Sequence, residues 1–253
     1  MNHPAESPLD HPLLSGRYFF PWPSRFDNPF FIDGDGFRLG CRYRLDSIGA
    51  PTVIHFHGNG ETVADYVGAF EERITAMGVN LLLAEYRGYG MSSGQPALAA
   101  MLADLELLVG GSGVDPERIV FFGRSLGSIY AAHGAWLFPH AAGLILESGI
   151  ADPLERILLR VEPKELGTDL EGLRGAVDMQ LNQRGKLSSF AGRTLVMHTR
   201  NDDLVPVYHA ERLFEWANAP KELLIFERGD HNSILAVNEE AYFAAVSRFI
   251  RQL

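Results

Sequence analysis

Short, nearly continuous apolar runs recur along the chain and alternate with stretches of helical periodicity. The apolar runs cover residues 52–56, 79–84, 119–122, 143–146, 194–197 and 223–226. Strands have this pattern when both of their faces are buried, as in a parallel sheet. The helical stretches cover residues 63–77, 97–109, 126–137, 207–217 and 239–253. This alternation predicts an α/β fold, with a mostly parallel sheet and helices on both of its faces.

Three segments depart from the alternation. Residues 37–45 alternate apolar and polar side chains, which predicts an edge strand with one solvent-exposed face. Residues 1–28 are rich in proline and aromatic side chains, and we expect an N-terminal extension packed on the surface of a domain at 29–253. Residues 149–189 contain no good strand and one short helical stretch at 153–161. Because structureless connections of this length are uncommon, we expect a small cap insertion at about 149–189.

Length and charge narrow the functional classes. With 253 residues and a hydrophobic fraction of 46%, the chain is suited to one domain with a substantial core. A formal charge of −10 and the lack of a Lys/Arg cluster argue against a nucleic-acid partner. Cys41 is the single cysteine, so no disulfide forms within the chain. The N-terminus lacks a signal-peptide pattern and no apolar run would cross a bilayer. We therefore expect a cytoplasmic protein without an integral membrane segment; its oligomeric state stays unknown.

The apolar run at 119–122 leads directly into Gly-Arg-Ser-Leu-Gly at 123–127 and then into a helical stretch. Strand, tight turn and helix form the setting in which the serine of a Gly-x-Ser-x-Gly motif is exposed above the sheet. The same pattern occurs at 90–94, around Ser92, but there a loop separates the serine from the preceding run and Pro96 follows closely. We therefore assign the nucleophile to Ser125 and interpret Ser92 as a turn residue.

A serine hydroxyl becomes a good nucleophile when a base takes its proton, and the base is usually oriented by an acid. His231 follows the last apolar run and precedes the final helical stretch, which places it at the same sheet edge as Ser125. An acid is expected after the preceding run, where Asp202 and Asp203 are neighbours and compete. Glu147, at the end of another run, is a third alternative.

These segments resemble the α/β-hydrolase superfamily, in which a serine, an acid and a histidine follow each other in this order. The segment Asp-Asp-Leu-Val-Pro at 202–206 is similar to the family's Asp-x-x-Val-Pro, whose first aspartate is the acid, and this favours Asp202. The segments His-Gly-Asn-Gly at 57–60, Glu-Tyr-Arg-Gly-Tyr-Gly-Met-Ser at 85–92 and Gly-Asp-His-Asn at 229–232 also resemble family motifs. The likeness extends from residue 52 to the C-terminus, except for 149–189, and is strongest to small serine esterases and acyl thioesterases.

The resemblance implies an oxyanion hole made by the backbone N–H groups of Leu126, next to the nucleophile, and Asn59. It says nothing of the cap. We expect cap side chains to shape the substrate pocket, and we name Leu154, Ile157 and Leu158 as candidates.

A metal centre is an alternative to the serine site, because His55 and His57 form a His-x-His pair on one face of a strand. Metal centres of hydrolases need further ligands nearby, whereas Gly58, Asn59 and Gly60 follow. We therefore expect no metal and no cofactor. His198, with three other histidines, is expected to be an ordinary core or surface residue.

The resulting prediction is a serine hydrolase that cleaves a carboxylic ester or thioester of a small acyl substrate through an acyl-serine intermediate. Two alternatives stay open. The first is an amide or peptide hydrolase on the same triad, because fold and triad do not set the leaving group. The second is a non-catalytic protein that binds acyl ligands on the hydrolase scaffold.

Overall fold

One eight-stranded sheet forms the centre of the molecule. The computed structural model describes residues 7–253, and residues 1–6 of the predicted N-terminal extension lie outside the described residues. The strands are β1 (Phe30–Asp33), β2 (Arg38–Arg44), β3 (Thr52–Phe56), β4 (Asn80–Ala84), β5 (Ile119–Arg124), β6 (Gly143–Glu147), β7 (Arg193–Thr199) and β8 (Lys221–Phe226). Their order is β1-β2-β4-β3-β5-β6-β7-β8. β2 pairs antiparallel with both β1 and β4, and β3 to β8 pair in parallel.

Helices cover both faces of this sheet. The α-helices are α1 (Pro12–Tyr18), α2 (Ala69–Thr75), α3 (Asp104–Ser112), α4 (Gly127–Leu137), α5 (Pro153–Leu158), α6 (Leu170–Gln180), α7 (Gln183–Ser189), α8 (Tyr208–Trp216) and α9 (Ile234–Ile250). Short 3-10 segments lie at Pro8–Asp10, Val63–Asp65, Ala100–Ala103, Pro116–Arg118 and Pro163–Leu166. None of the helices within residues 7–253 is long and apolar enough to cross a membrane.

The continuous apolar runs have a simple cause. Successive side chains of a strand point to opposite faces, so a strand between two helical layers must be apolar at every position. In β5, Ile119 and Phe121 enter the core beneath α3, α4 and α8, whereas Val120 and Phe122 enter the core beneath α2 and α9. The predicted α/β fold with a mostly parallel sheet is confirmed.

Several element boundaries differ from the prediction. Residues 37–45 do not form the sheet edge, because β1, a four-residue strand too short to recognise from its pattern, pairs with β2 from outside. The helix predicted at 63–77 is interrupted at Gly68, which has a φ of +97°. The last helix begins at Ile234 rather than at 239, and Asn238 forms a kink inside it with a φ of −123°.

The two irregular segments are more structured than their sequence pattern indicates. Between β6 and β7 the chain forms α5, α6 and α7, of which only α5 coincides with a predicted helix. In the part of the N-terminal extension that the structure describes, four side chains are buried in the main core: Leu9, Leu14, Tyr18 and Phe19. The domain boundary at residue 28 and the role of 149–189 as a cap stay predictions.

Candidate active site

Ser125 lies in the sharp turn between β5 and α4. Its φ is +51°, a left-handed conformation that costs a non-glycine residue roughly 1 to 2 kcal/mol. The surrounding hydrogen bonds hold it there: the Ser125 N–H donates to the Glu147 carbonyl at 2.8 Å, and the Ser125 carbonyl accepts from the Ser128 hydroxyl at 2.6 Å. The turn therefore projects the hydroxyl beyond the end of β5 rather than into the sheet.

The two glycines of this motif are required by close backbone approach. A Cβ atom on Gly127 would collide with the carbonyl oxygen of Phe56 in β3, and one on Gly123 would collide with the carbonyl oxygen of Gly127. Neither obstacle is a flexible side chain, so the backbone itself would have to move. The helix α4 can pack this closely against β3 and β5 only because both positions lack a side chain.

A continuous hydrogen-bond chain links three side chains from three different loops. His231 Nε2 lies 2.9 Å from the Ser125 hydroxyl oxygen, and His231 Nδ1 lies 2.7 Å from Asp202 Oδ2. Because a carboxylate only accepts, Nδ1 carries the ring proton and Nε2 accepts from the serine hydroxyl. The loops that hold these residues follow β5, β7 and β8, whose carboxyl ends lie at one edge of the sheet.

Asp202 is held from several sides. Its Oδ1 accepts the backbone N–H groups of Leu204 and Val205 at 3.0 and 2.7 Å. His198 Nε2 lies 3.3 Å from its Oδ2. Burial by itself would raise the pKa of Asp202, but the hydrogen bonds from His198 and His231 outweigh burial and lower the pKa well below its usual range. Asp202 is therefore an anion beside His231 at neutral pH.

The three candidate acids differ in their burial and in their contacts. Asp203 is exposed, whereas His231 Nδ1 pairs with the neighbouring Asp202. Glu147 is buried, but its Oε2 accepts the Tyr242 hydroxyl at 2.6 Å and its Oε1 lies 3.4 Å from Arg124 Nε. Burial raises the pKa of Glu147, although Arg124 opposes this shift. Of the three carboxylates, Asp202 is the one that the structure brings to the imidazole.

His198 was expected to be an ordinary core or surface residue; it is buried, and it also contacts the acid of the triad. Its Nε2 lies 2.7 Å from the Val205 carbonyl oxygen, an acceptor, so the proton is on Nε2 and points toward Asp202 as well. His198 Nδ1 is buried without a partner among the described residues. The sequence contains one signal for this contact: His198 is the sixth residue of β7 and lies four residues before Asp202.

Arg124, inside the motif, is a second residue whose role only the structure reveals. Its guanidinium lies 3.1 Å from Glu61 Oε1 and 3.4 Å from Glu147 Oε1, and it donates to the His231 carbonyl at 3.1 Å. Removing a buried charge from such a pair leaves the other charge uncompensated, so the three charged residues stabilise each other. The contact to the His231 carbonyl ties the histidine loop to the serine turn.

Leu126 and Asn59, the two predicted oxyanion donors, border the cavity at Ser125. Neither N–H donates to a backbone carbonyl anywhere in residues 7–253. The Asn59 side chain is fixed by the N-terminal segment and by the loop after β4: its amide donates to the Tyr18 carbonyl, and its oxygen accepts from the Phe20 N–H at 3.2 Å and the Tyr89 hydroxyl at 2.8 Å. The extension thus supports the loop on which one of the predicted oxyanion donors lies.

The cavity at Ser125 has a volume of about 150 Å³. The residues that the segment 149–189 contributes to its wall differ from those predicted. Leu154 and Ile157 are packed in the core, and Leu158 is 39% exposed; none of the three borders the cavity. Arg156 and Arg160 border it instead. The physical reason is helical geometry within α5: when 154 and 157 face the core, 156 lies on another side of the helix, and Arg160 follows in the turn after the helix.

A larger cavity of about 420 Å³ lies next to this one, between α2 and α9. It shares Glu61, Arg124 and Asn232 with the cavity at Ser125, so the Arg124 ion pairs form the partition between the two. Neither Ser125 nor His231 borders it.

The His-x-His pair does not converge on one point. His57 Nε2 lies 2.6 Å from Glu85 Oε1, whereas His55 is packed among aromatic rings, with its centroid 4.4 Å from that of Tyr66. Within residues 7–253 no group of three or more His, Cys, Asp or Glu side chains is arranged to hold a metal ion.

Comparisons with known proteins agree with this architecture. No protein-family model matches the chain. It is 30% identical over 236 residues to an uncharacterized protein of Mycobacterium tuberculosis, covering 86% of this chain and 76% of that one. It is 27% identical over 226 residues to human alpha/beta hydrolase domain-containing protein 17B, covering 86% and 72%. Among solved structures, the Pyrococcus furiosus esterase Pf2001 has a TM-score of 0.72 at 19% identity, covering 92% and 98%. The serine turn, the sheet order and the similarity to solved hydrolase structures show that the chain has the α/β-hydrolase fold.

Proposed function

We propose that the protein is a serine hydrolase that cleaves a carboxylic ester or thioester of a small acyl substrate, without a cofactor. The observation that carries the proposal is the unbroken chain from the Ser125 hydroxyl through His231 to Asp202, with distances of 2.9 and 2.7 Å. These lengths are those at which a base accepts a proton from a nucleophile in its ground state. The fold alone would not support this function, since one fold hosts many activities.

In the first half of the reaction, Ser125 Oγ attacks the carbonyl carbon of the substrate while His231 Nε2 takes the hydroxyl proton. The carbonyl oxygen becomes an oxyanion, and the N–H groups of Leu126 and Asn59 stabilise it, at roughly 3 to 4 kcal/mol for one donor. His231 then donates this proton to the leaving group, at the oxygen of the alcohol for an ester or at the sulfur of the thiol for a thioester. The product of this half is an acyl-serine.

In the second half, His231 removes a proton from water, and the resulting hydroxide attacks the acyl carbon. The tetrahedral oxyanion forms again in the same place, and its collapse releases the acid and restores the Ser125 hydroxyl. Asp202 stays ionised throughout and holds the imidazole with its proton on Nδ1. Its lowered pKa suits this role, because a protonated acid would no longer stabilise the imidazolium.

The test combines labelling with substrate comparison. A fluorophosphonate probe is expected to modify the wild-type protein at Ser125, with no modification of the Ser125→Ala variant. A parallel panel of p-nitrophenyl esters, acyl thioesters and aminoacyl amides is expected to show turnover of the first two. Faster turnover of the amides would favour an amide hydrolase. No labelling combined with tight binding of acyl ligands would favour a non-catalytic binding protein.

A further inference from the structure

Two arginines from the segment between β6 and β7 border the cavity at Ser125. Arg156 lies in α5, Arg160 lies two residues beyond its end, and both belong to the wall of the cavity. The chain as a whole carries a formal charge of −10, so two cations in the wall of this small cavity are a local exception.

The carboxylates near these arginines are engaged with other partners. Glu155 accepts the Tyr208 hydroxyl at 2.6 Å, and Asp152 lies 3.9 Å from Arg212. Glu165 pairs with Arg17 at 2.9 Å. Arg156 and Arg160 themselves form no ion pair with a carboxylate in the part of the chain at 7–253.

The other charged side chains of the cavity wall are engaged with each other. Its third arginine, Arg124, is paired with Glu61 and Glu147. Among residues 7–253, Glu61 is the single carboxylate that borders the cavity, and it is further held by the Tyr66 hydroxyl at 2.6 Å and the Gly58 N–H at 2.6 Å. Arg156 and Arg160 are therefore the two charged side chains of the cavity wall that have no carboxylate within ion-pair distance in this part of the chain.

The N-terminal segment contacts Arg160. The Arg160 guanidinium lies 5.5 Å from the centroid of the Phe20 ring, and the Arg160 carbonyl accepts from Arg17 Nη1 at 3.4 Å. The charges also act on Tyr18, another residue of the cavity wall: burial raises its pKa to about 12, while Arg156 and Arg160 oppose that shift. Because guanidinium groups bind oxyanions through parallel hydrogen bonds, this wall is suited to an anionic ligand.

We propose that the substrate carries an anionic oxygen group, a carboxylate or a phosphate, next to the scissile ester or thioester, and that Arg156 and Arg160 bind this group. This inference rests on the proposed hydrolase function and narrows its substrate class. The anion lies either in the acyl part or in the leaving group, and the two positions are tested separately.

The test compares substrates that differ in charge at one position. For the acyl part, 4-nitrophenyl hydrogen adipate is compared with 4-nitrophenyl hexanoate, which ends in a methyl group. For the leaving group, 4-acetoxybenzoate and 4-acetoxyphenyl phosphate are compared with methyl 4-acetoxybenzoate. We expect kcat/KM to favour the anionic member of at least one comparison by about tenfold or more, the value of one charge-assisted hydrogen bond. The preference should decrease between 0.05 and 1 M NaCl, because salt shortens the range of charge interactions.

Variants identify the residues responsible. Arg156→Gln and Arg160→Gln should each reduce the ratio of anionic to neutral kcat/KM by about tenfold, and Arg156→Lys should keep part of it because the charge remains. Arg174→Gln is the matched control, since Arg174 is an exposed arginine of the neighbouring helix α6 that does not border the cavity. It should leave the ratio unchanged. Thermal unfolding of each variant reports whether it is folded.

Binding separates this inference from the proposed function. The Ser125→Ala variant does not need turnover to bind, so dissociation constants for the same charged and neutral pairs are measured by calorimetry with and without Arg156→Gln. Tighter binding of the anionic member that is lost with Arg156→Gln supports the inference even if the wild type hydrolyses none of the substrates. Equal binding and equal kcat/KM within every pair would overturn it, and so would a preference that both arginine variants retain.

Discussion

The chain contains the pattern Gly-x-Ser-x-Gly twice, and the two copies fold into different structures. Ser125 has a φ of +51°, directly after β5 and before α4, and its hydroxyl faces His231. Ser92 lies in a loop after β4, and its hydroxyl accepts the Gly40 N–H of β2 at 2.9 Å. The same three residues at the same spacing therefore include one serine hydroxyl beside a base and one serine hydroxyl that joins a loop to a strand.

The glycines of the two copies are required for different physical reasons. Gly123 and Gly127 are needed because a Cβ atom would meet backbone atoms of neighbouring elements. Gly90 and Gly94 have φ values of +53° and +87°, a backbone conformation that favours glycine, and a Cβ atom on Gly90 would also meet the Glu85 carboxylate. The pattern becomes informative only together with the strand before it and the helix after it.

The largest expected effect is that of Ser125→Ala. If Ser125, His231 and Asp202 act as a unit, turnover should decrease by about six orders of magnitude, as in other serine triads. Steady-state hydrolysis of a p-nitrophenyl ester measures the loss, and an unchanged thermal unfolding curve shows that the variant is folded. A variant that keeps most of the wild-type rate would contradict the assignment of the nucleophile.

The second-largest effect is expected for a substitution of Asp202, and the same substitution of the neighbouring Asp203 is its control. Asp202→Asn should reduce kcat about 10⁴-fold, because the amide no longer selects the tautomer in which His231 Nε2 accepts a proton. Asp203→Asn removes the same charge one residue away, on an exposed side chain, and should leave kcat within a factor of two or so of the wild type. Equal effects of the two substitutions would argue against Asp202 as the orienting acid.

The glycines provide a prediction about stability. Gly127→Ala should reduce the free energy of unfolding by about 3 kcal/mol or more, since the new methyl group meets the Phe56 carbonyl oxygen. Gly94→Ala should cost about 1 to 3 kcal/mol, mainly through its positive φ. Urea denaturation measures both. A Gly127→Ala variant as stable as the wild type would show that β3 and α4 do not need to approach so closely.

The smallest effect is expected for Ser92→Ala. Loss of its hydrogen bond to the Gly40 N–H should reduce stability by about 1 kcal/mol, and the rate of ester hydrolysis should stay close to that of the wild type. Activity and urea denaturation are measured on the same preparation. A large decrease in rate without a loss of stability would show that the loop at Ser92 takes part in the reaction.

Much of this molecule follows from local pattern. Buried strands between helical layers are apolar throughout, and parallel strands end at one edge of the sheet, so the positions of Ser125 and His231 along the chain already indicate where they lie. The short strand β1 and the break at Gly68 were missed because four residues, or one left-handed glycine, produce too little periodicity to recognise.

The composition of the cavity was decided by the tertiary structure. Asp202 and Asp203 are adjacent and chemically equal, and only the packing of the loop after β7 buries one and exposes the other. Arg156 and Arg160 reach the cavity in place of Leu154, Ile157 and Leu158, because the orientation of a six-residue helix depends on what it packs against. The sequence by itself therefore determined the fold and the order of the reactive residues, which depend on near neighbours. Contacts between distant segments determined which side chains surround Ser125.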